Sequence, residues 1–262
     1  MLELYHNNMS VCAQKVRILL IEKGLQAKEH HLLLRAGEQF SPAYLKLNPK
    51  AVVPTLVHDG RPITESTVIL EYIDDVFPTP PARPADPYRR AQMRTLAKTP
   101  DDWLHEACAI VTHTIAFRHQ YQALAREDLE RQLAATPDPT RRDTKLQSIL
   151  QGYEWPAFWI AVRKHAKLLS EMNDILAENA WLAGPDWSLA DAALTPYVVR
   201  LEELKIEGMF EHHRHVRRWL DAAKARPSFR GYSAYAEEKF LTLMGEQGSA
   251  AWPRIEKELA GN

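Results

Sequence analysis

Cysteine is nearly absent from this chain: of 262 residues, only Cys12 and Cys108 carry a thiol. Two thiols cannot build a disulfide framework, and no Cys-x-x-Cys pair opens a zinc site. With no basic stretch leading into an apolar one at the start of the sequence, a reducing cytoplasm is the expected location. Glycine is also scarce, at 10 residues, and none of it clusters into a loop that cradles phosphates. Charge of one sign is lacking too. With 33 Lys and Arg against 34 Asp and Glu, the net charge of -1 gives no global attraction to nucleic acid or to an anionic membrane. No run approaches the roughly 20 apolar residues that a membrane-crossing helix needs. Eleven histidines raise the question of a metal, yet no His-Glu-x-x-His run occurs, and the His212-His213-Arg214-His215 cluster lacks carboxylates spaced to complete a site. No metal, nucleic-acid or membrane partner is therefore expected. A Ser-His-Asp hydrolase signature is missing as well.

What is present suits a soluble globular chain. At 45% hydrophobic and 26% charged residues, it can bury a sizeable core and suggests two compact domains. Prolines at 78, 80, 81, 84 and 87 make residues 79–87 a stretch that cannot be helical, so it reads as a linker between residues 1–78 and residues 88–262. Before it, LELY, a helix ending near Lys23-Gly24, KEHHLLL, PTLVHD, RPIT and a helix from Glu65 alternate as βαβ followed by ββα. After it, helical periodicity dominates, with segments at about 87–124, 155–179, 188–205, 211–226 and 234–246. The Thr136-Pro-Asp-Pro-Thr-Arg-Arg-Asp stretch reads as an exposed loop. The expected fold is thus a thioredoxin-like α/β domain followed by an all-helical bundle.

Two segments of the first domain carry chemistry. In MSVCAQKVR, Ser10 and Cys12 stand where a strand gives way to a helix, whose unpaired N–H groups and partial positive charge favour an anion. A hydroxyl there can donate a hydrogen bond to a thiolate. A free thiol titrates at about 8.5, and each unit of depression is worth about 1.4 kcal/mol in favour of the ionised form. In KAVVPTLVHDGRPITES, Pro54 has no N–H, and a cis Val53-Pro54 bond would turn the Val53 backbone outward to pair with an extended peptide. Glu65 and Ser66 then set a carboxylate and a hydroxyl at a helix start, suited to the ammonium and carboxylate of a γ-glutamyl group. Singly, Ser10 is an ordinary helix cap, Val-Pro an ordinary lead into a strand, and Glu65-Ser66 a helix-start signal. Their order and spacing together point to a glutathione site.

On these residues the chain resembles the cytosolic glutathione transferases. Ser10-x-Cys12 followed by Val16-Arg17 is similar to the zeta class, which includes maleylacetoacetate isomerases. The MSVC and KAVVPTLV strings resemble the reductive dehalogenases of chlorinated hydroquinones. HDGRPITESTVILEYIDDVFP and RPADPYRRAQMR resemble the bacterial β-aryl etherases. The resemblance implies that Ser10 stabilises the glutathione thiolate, that Val53 pairs with the cysteinyl unit, and that Glu65 and Ser66 hold the γ-glutamyl group. It places Gln39 near the glycyl carboxylate. Val52 stands where several relatives have Lys or Gln, which leaves Lys50 as a possible substitute. It further implies a homodimer, and a role in detoxification or aromatic degradation.

Cys12 separates two mechanisms. In the first turn of the helix its own pKa can fall, making it a nucleophile; free cysteines at such places are also commonly inert packing. The dehalogenase resemblance implies attack on a glutathionyl conjugate and a mixed disulfide resolved by a second glutathione. The second substrate, a small hydrophobic molecule, is expected on the helical domain, where Trp103, His113, Phe117, Arg118 and Tyr121 offer an aromatic wall and a cation. An aromatic stripe at this spacing equally describes helix core. Tyr153, Trp155 and Trp159 resemble an extension that covers the pocket. Ser188 and Asp191 stand at capping-box spacing and read as structural.

Overall fold

The computed structural model describes residues 1–122, 124–233 and 235–261. The chain opens with β1 (Leu2–His6), α1 (Val11–Glu22) and β2 (Lys28–His31), continues through a short α2 (Pro42–Leu45), and closes its first domain with β3 (Thr55–His58), β4 (Arg61–Ile63) and α3 (Ser66–Val76). Among the described residues the sheet has four strands in the order β2-β1-β3-β4, with β1 parallel to β2 and antiparallel to β3. Leu4 and Leu56 face the core, covered by Val16 and Leu19 of α1 and by Ile69, Leu70 and Ile73 of α3. Burying each such side chain contributes about 2 kcal/mol. Gly24 ends α1 at φ 63°, where Gly24 N–H bonds Ile21 O at 3.0 Å and Leu25 N–H bonds Leu20 O at 2.8 Å, the wrap that glycine permits after a last turn.

The helical domain follows as α4 (Pro87–Thr99), α5 (His105–Ile115), α6 (Arg126–Ala134), α7 (Pro139–Gln151), α8 (Pro156–Glu178), α9 (Leu189–Glu203), α10 (Arg214–Ala225), α11 (Pro227–Ser233) and α12 (Glu238–Ala260). Three expectations need correction. The single helix expected from residue 87 to 124 changes to a π-helical turn at Pro100–Leu104 and ends at Ile115. The loop expected at 136–143 is mostly helix: Asp138 caps the N–H groups of Thr140 and Arg141, and Pro139 takes the first helical position, where its missing N–H has no partner to lose. The last helix runs on to Ala260 and accommodates Pro253. α4 starts at Pro87, the final residue of the expected linker, with Asp86 as its cap.

Two helices are buried nearly all round, and they set the site. α1 is packed against α9, α11 and α3, so Val11 and every residue from Ala13 to Leu20 is buried, including Gln14, Lys15 and Arg17. α9 is buried from Leu189 through Leu201. Its start is held by Asp191, whose carboxylate accepts from Ser188 N–H (2.8 Å), Ser188 Oγ (2.9 Å), Leu182 N–H (3.0 Å) and Trp219 Nε1 (2.8 Å). The Ser188-Asp191 pairing follows the capping-box expectation. Asp191 doing duty for Trp219 is a tertiary addition.

Candidate active site at the meeting of two helix termini

Sheet register brings the two chemical segments together. Tyr5 of β1 pairs with Thr55 of β3, and Leu56 pairs with Ile63 of β4, so β1 ends, β3 begins and β4 ends at one edge of the sheet. The residues that continue from these points are Ser10, Val53-Pro54 and Glu65-Ser66. Ser10 caps α1, accepting from Ala13 N–H at 3.3 Å, which leaves its hydroxyl proton free to donate outward. The loop before it is pinned at Met9: Asn7 Oδ1 accepts from Met9 N–H (3.0 Å), and Arg200 Nη2 of α9 donates to Met9 O (2.8 Å).

The Val53-Pro54 peptide bond is cis, and Val53 is buried. Val52 O is occupied by Tyr44 Oη (2.5 Å) and Asn48 Nδ2 (2.9 Å). Glu65 stands just before α3 at φ 65°, a backbone conformation that non-glycine residues seldom adopt and that recurs at functional sites. Its carboxylate meets Lys50 Nζ at 2.6 Å, while Arg141 of α7 reaches Lys50 O at 3.3 Å. Ser66 is buried in the first turn of α3. Gln39 is buried, with Nε2 on Leu34 O at 3.1 Å and Oε1 unpartnered among the described residues.

Lys15 ties the two termini together. Fully buried, its ammonium donates to Thr67 Oγ1 at 2.8 Å and lies 3.9 Å from the Asp101 carboxylate, to which Thr67 also donates at 3.1 Å. Burial pulls the Lys15 pKa down, and the charges of Cys12, Asp101 and Glu65 push it back up.

Cys12 lies in the first turn of α1, turned toward the helical domain. Its Sγ is 3.4 Å from His105 Nδ1 at the start of α5 and 3.5 Å from Tyr197 Oη of α9, and those two atoms are themselves 3.4 Å apart. Burial pushes the thiol up, but the imidazole charge and hydrogen bond of His105, the Lys15 ammonium and the Tyr197 hydroxyl outweigh it and bring Cys12 down to about 6. The Cys12 charge in turn raises His105. Cys108 behaves oppositely: it is buried in the core and its thiol is pushed up by desolvation.

The residues expected to line a second pocket fall into separate groups. His113 and Phe117 meet edge to face at 5.6 Å, and Arg35 of the first domain stacks over Phe117 (5.7 Å) and Phe240 (4.7 Å). His113 donates Nδ1–H to Ala109 O (2.9 Å), and burial takes its pKa to about 3, so it stands neutral. Arg118 packs against Gly152 and over the Tyr153 ring at 5.3 Å, with Arg254 also 5.3 Å from that ring. Tyr121 joins a small core of Leu129, Leu133 and Ile149, and Trp103 has Lys164 over its ring at 5.4 Å. Trp159 Nε1 donates to Tyr153 O at 2.9 Å. Among the described residues no group of three or more His, Cys, Asp or Glu is gathered to hold a metal, and no helix is long and apolar enough to cross a membrane.

Sequence reasoning did not single out Tyr197, Lys15 or Arg200, and it weighed His105 only as one of several histidines in a rejected metal site. Lys15 and Arg200 carried a faint signal, being charged residues inside otherwise apolar helices. His105 and Tyr197 carried none, since they meet Cys12 across separations of 93 and 185 residues.

A mixed sheet with two helix N-termini gathered at one edge, followed by a helical domain, defines the thioredoxin-like and all-helical architecture of glutathione-handling enzymes. The chain matches the glutathione S-transferase N-terminal domain over residues 9–76 and the C-terminal domain over residues 153–227, and it belongs to the glutathione S-transferase family. It is 27% identical to protein LigF of Sphingobium sp. strain SYK-6 over 237 residues, covering 87% of this chain and 91% of LigF. The crystal structure of that β-etherase superposes with a TM-score of 0.80, covering 90% of this chain and 99% of the other. The maleylacetoacetate isomerase of Pseudomonas aeruginosa is 29% identical over 232 residues (87% and 94% coverage). A tetrachloro-p-hydroquinone reductive dehalogenase of Sphingobium chlorophenolicum is 27% identical over 242 residues (86% and 93%).

Proposed function

We propose that this protein is a glutathione transferase that directs the glutathione thiolate at a small, apolar, aromatic electrophile, by conjugation or by thiolytic cleavage of an aryl ether. Ser10 donates its free hydroxyl proton to the thiolate at the α1 terminus. Val53 offers its backbone to the cysteinyl unit, Glu65 and Ser66 take the γ-glutamyl end, Gln39 is assigned to the glycyl end, and Lys50, paired with Glu65 at 2.6 Å, stands beside the γ-glutamyl end. The thiolate forms a C–S bond as the leaving group departs with the C–O or C–halogen electron pair, and an aryloxide leaving group takes its proton from water. The observation that carries this reading is the convergence of Ser10, Val53-Pro54 and Glu65-Ser66 at one sheet edge, with Lys15 bonded across both helix starts. The β-etherase likeness supports the ether as a leaving group. The active species is taken to be a cytoplasmic homodimer, as in most of the family.

The short contacts of Cys12 with His105 and Tyr197 favour a second, reductive reading. Here the Cys12 thiolate attacks the sulfur of a glutathionyl-aryl conjugate, forming a Cys12–glutathione disulfide while the aryl carbon leaves with the C–S electrons and is protonated. A second glutathione thiolate then attacks that disulfide, releasing oxidised glutathione and restoring Cys12. Two glutathiones are oxidised for each aryl–halogen bond replaced by aryl–hydrogen.

The two readings predict different products. The purified protein should be given glutathione with aryl ethers, chlorinated hydroquinones and aryl halides, and its products resolved by mass. Accumulating conjugate, lowered about 10- to 100-fold by S10A and untouched by C12S, is the expected result. Oxidised glutathione in step with a reduced aryl product, lost in C12S, would replace transfer by the reductive cycle.

A further inference from the structure

We infer that His105 is the proton acceptor of Cys12 and that Cys12, His105 and Tyr197 form a standing thiolate–imidazolium group at the cleft between the α1 terminus and the helical domain. The inference deepens the reductive reading above and rests on it for its use in turnover. The ion pair itself stands on geometry.

Three atoms that can each exchange a proton lie in a near-equilateral triangle with sides of 3.4, 3.5 and 3.4 Å. Two proton arrangements satisfy both contacts to sulfur, and they differ in the charge it carries. With the thiol neutral, S–H donates to His105 Nδ1 while the sulfur accepts from the Tyr197 hydroxyl; with the proton on His105, Nδ1–H and the Tyr197 hydroxyl both donate to a thiolate, and both bonds become charge-assisted and stronger. Tyr197 is suited to permanent donation, because burial and the neighbouring Cys12 charge hold its hydroxyl protonated far above neutral pH. α1 adds the unpaired N–H groups of its first turn, which favour the anion.

The local fold serves this arrangement on both sides. The π-helical turn Pro100–Leu104 carries Asp101, which accepts from Thr67, and leads directly into His105, which faces Cys12, so one irregular turn and its cap present two side chains to the first domain at once. Lys15 follows Cys12 by one turn and is sealed from water. Other charged groups bear on the pair. Asp101 and Glu65 face Lys15 and temper its pull, Arg141 opposes a positive His105, and Cys108 faces Tyr197 as a neutral thiol. His105 is itself exposed, so water weakens its attraction for Cys12 while solvating the imidazolium.

The deciding experiment is a titration of the thiolate absorbance near 240 nm in the full-length protein, with C12S supplying the Cys108 background. The wild-type midpoint should fall near 6. In H105Q it should move up toward the ordinary thiol value of about 8.5. At pH 6.5 that change lowers the ionised fraction about 75-fold, and the greater nucleophilicity of the less acidic thiolate reduces the loss in alkylation rate to about six-fold. Y197F should move the midpoint in the same direction by less. Because His105 is exposed, H105Q should keep the fold, and unchanged circular dichroism verifies it. A wild-type midpoint at 8 or above, or an H105Q midpoint equal to wild type, overturns the inference. A midpoint near 6 that depends on His105, in an enzyme whose turnover ignores C12S, upholds the ion pair and removes the reductive reading.

Discussion

Replacing Asp191 with Ala should unfold the helical domain at markedly lower temperature. The carboxylate is fully buried and is the common acceptor for two backbone N–H groups, the Ser188 hydroxyl and the Trp219 indole. Each buried donor left without a partner costs about 1–3 kcal/mol. Ser188 Oγ can rotate to another acceptor, and a water entering the vacated space can satisfy part of the rest. A net loss of about 4 kcal/mol is therefore expected, well short of the sum of four full penalties. For a chain of this size that corresponds to a fall in Tm of roughly 8 °C. Asp191→Asn keeps the shape and one carbonyl acceptor but sets an NH2 group against donors, so about half the loss is expected. Urea unfolding followed by far-UV circular dichroism and by Trp fluorescence would measure both, with Trp219 reporting its own site. A loss below 1 kcal/mol for D191A would refute the reasoning, since it would mean that the four donors find partners without the carboxylate.

Ser10→Ala removes an α-helix cap worth about 1 kcal/mol and the hydroxyl proposed to hold the glutathione thiolate. At pH 6.5 transfer should fall about 10- to 100-fold and the pH-rate profile should shift up by one to two units, with KM for glutathione little changed. Transfer within two-fold of wild type and an unmoved profile would dismiss Ser10 from the chemistry. Gly248→Ala tests the packing of α12 on α9: an added methyl would lie 1.5 Å from Leu204 O, a backbone atom that cannot step aside. Although Ala is the better helix former by about 1 kcal/mol, overpacking should win, for a net loss of about 2 kcal/mol in chemical denaturation. A stabilised G248A would show that α12 and α9 stand farther apart.

Features resolved within a few residues of one another could be read from the chain alone. Ser10 capping Ala13, Gly24 ending α1, and Ser188 answering Asp191 all follow from spacings of three or four residues or a single required φ. The start of α7 was legible by the same rules, since Asp138-Pro139 is a cap followed by proline at the first helical position, but proline density around it suggested a loop. The second-substrate wall was not legible. Residue type put Trp103, His113, Phe117, Arg118 and Tyr121 on one stretch, but where α5 ends decides which way each points. Arg118 folds into the space above Gly152, and Tyr121 joins the core of α6 and α7.

The sequence by itself determined the thioredoxin-like-then-helical division and the βαβ and ββα order, because periodicity, caps and prolines act locally, and it singled out Ser10, Val53-Pro54 and Glu65-Ser66 as the residues proposed here to face glutathione. Only the tertiary structure decided that α1 and α9 lie back to back. That packing brings Tyr197 and Arg200 to the Ser10–Cys12 turn and the start of α5 brings His105, so the ionisation of Cys12 depends on charges and hydroxyls that no spacing along the chain can announce.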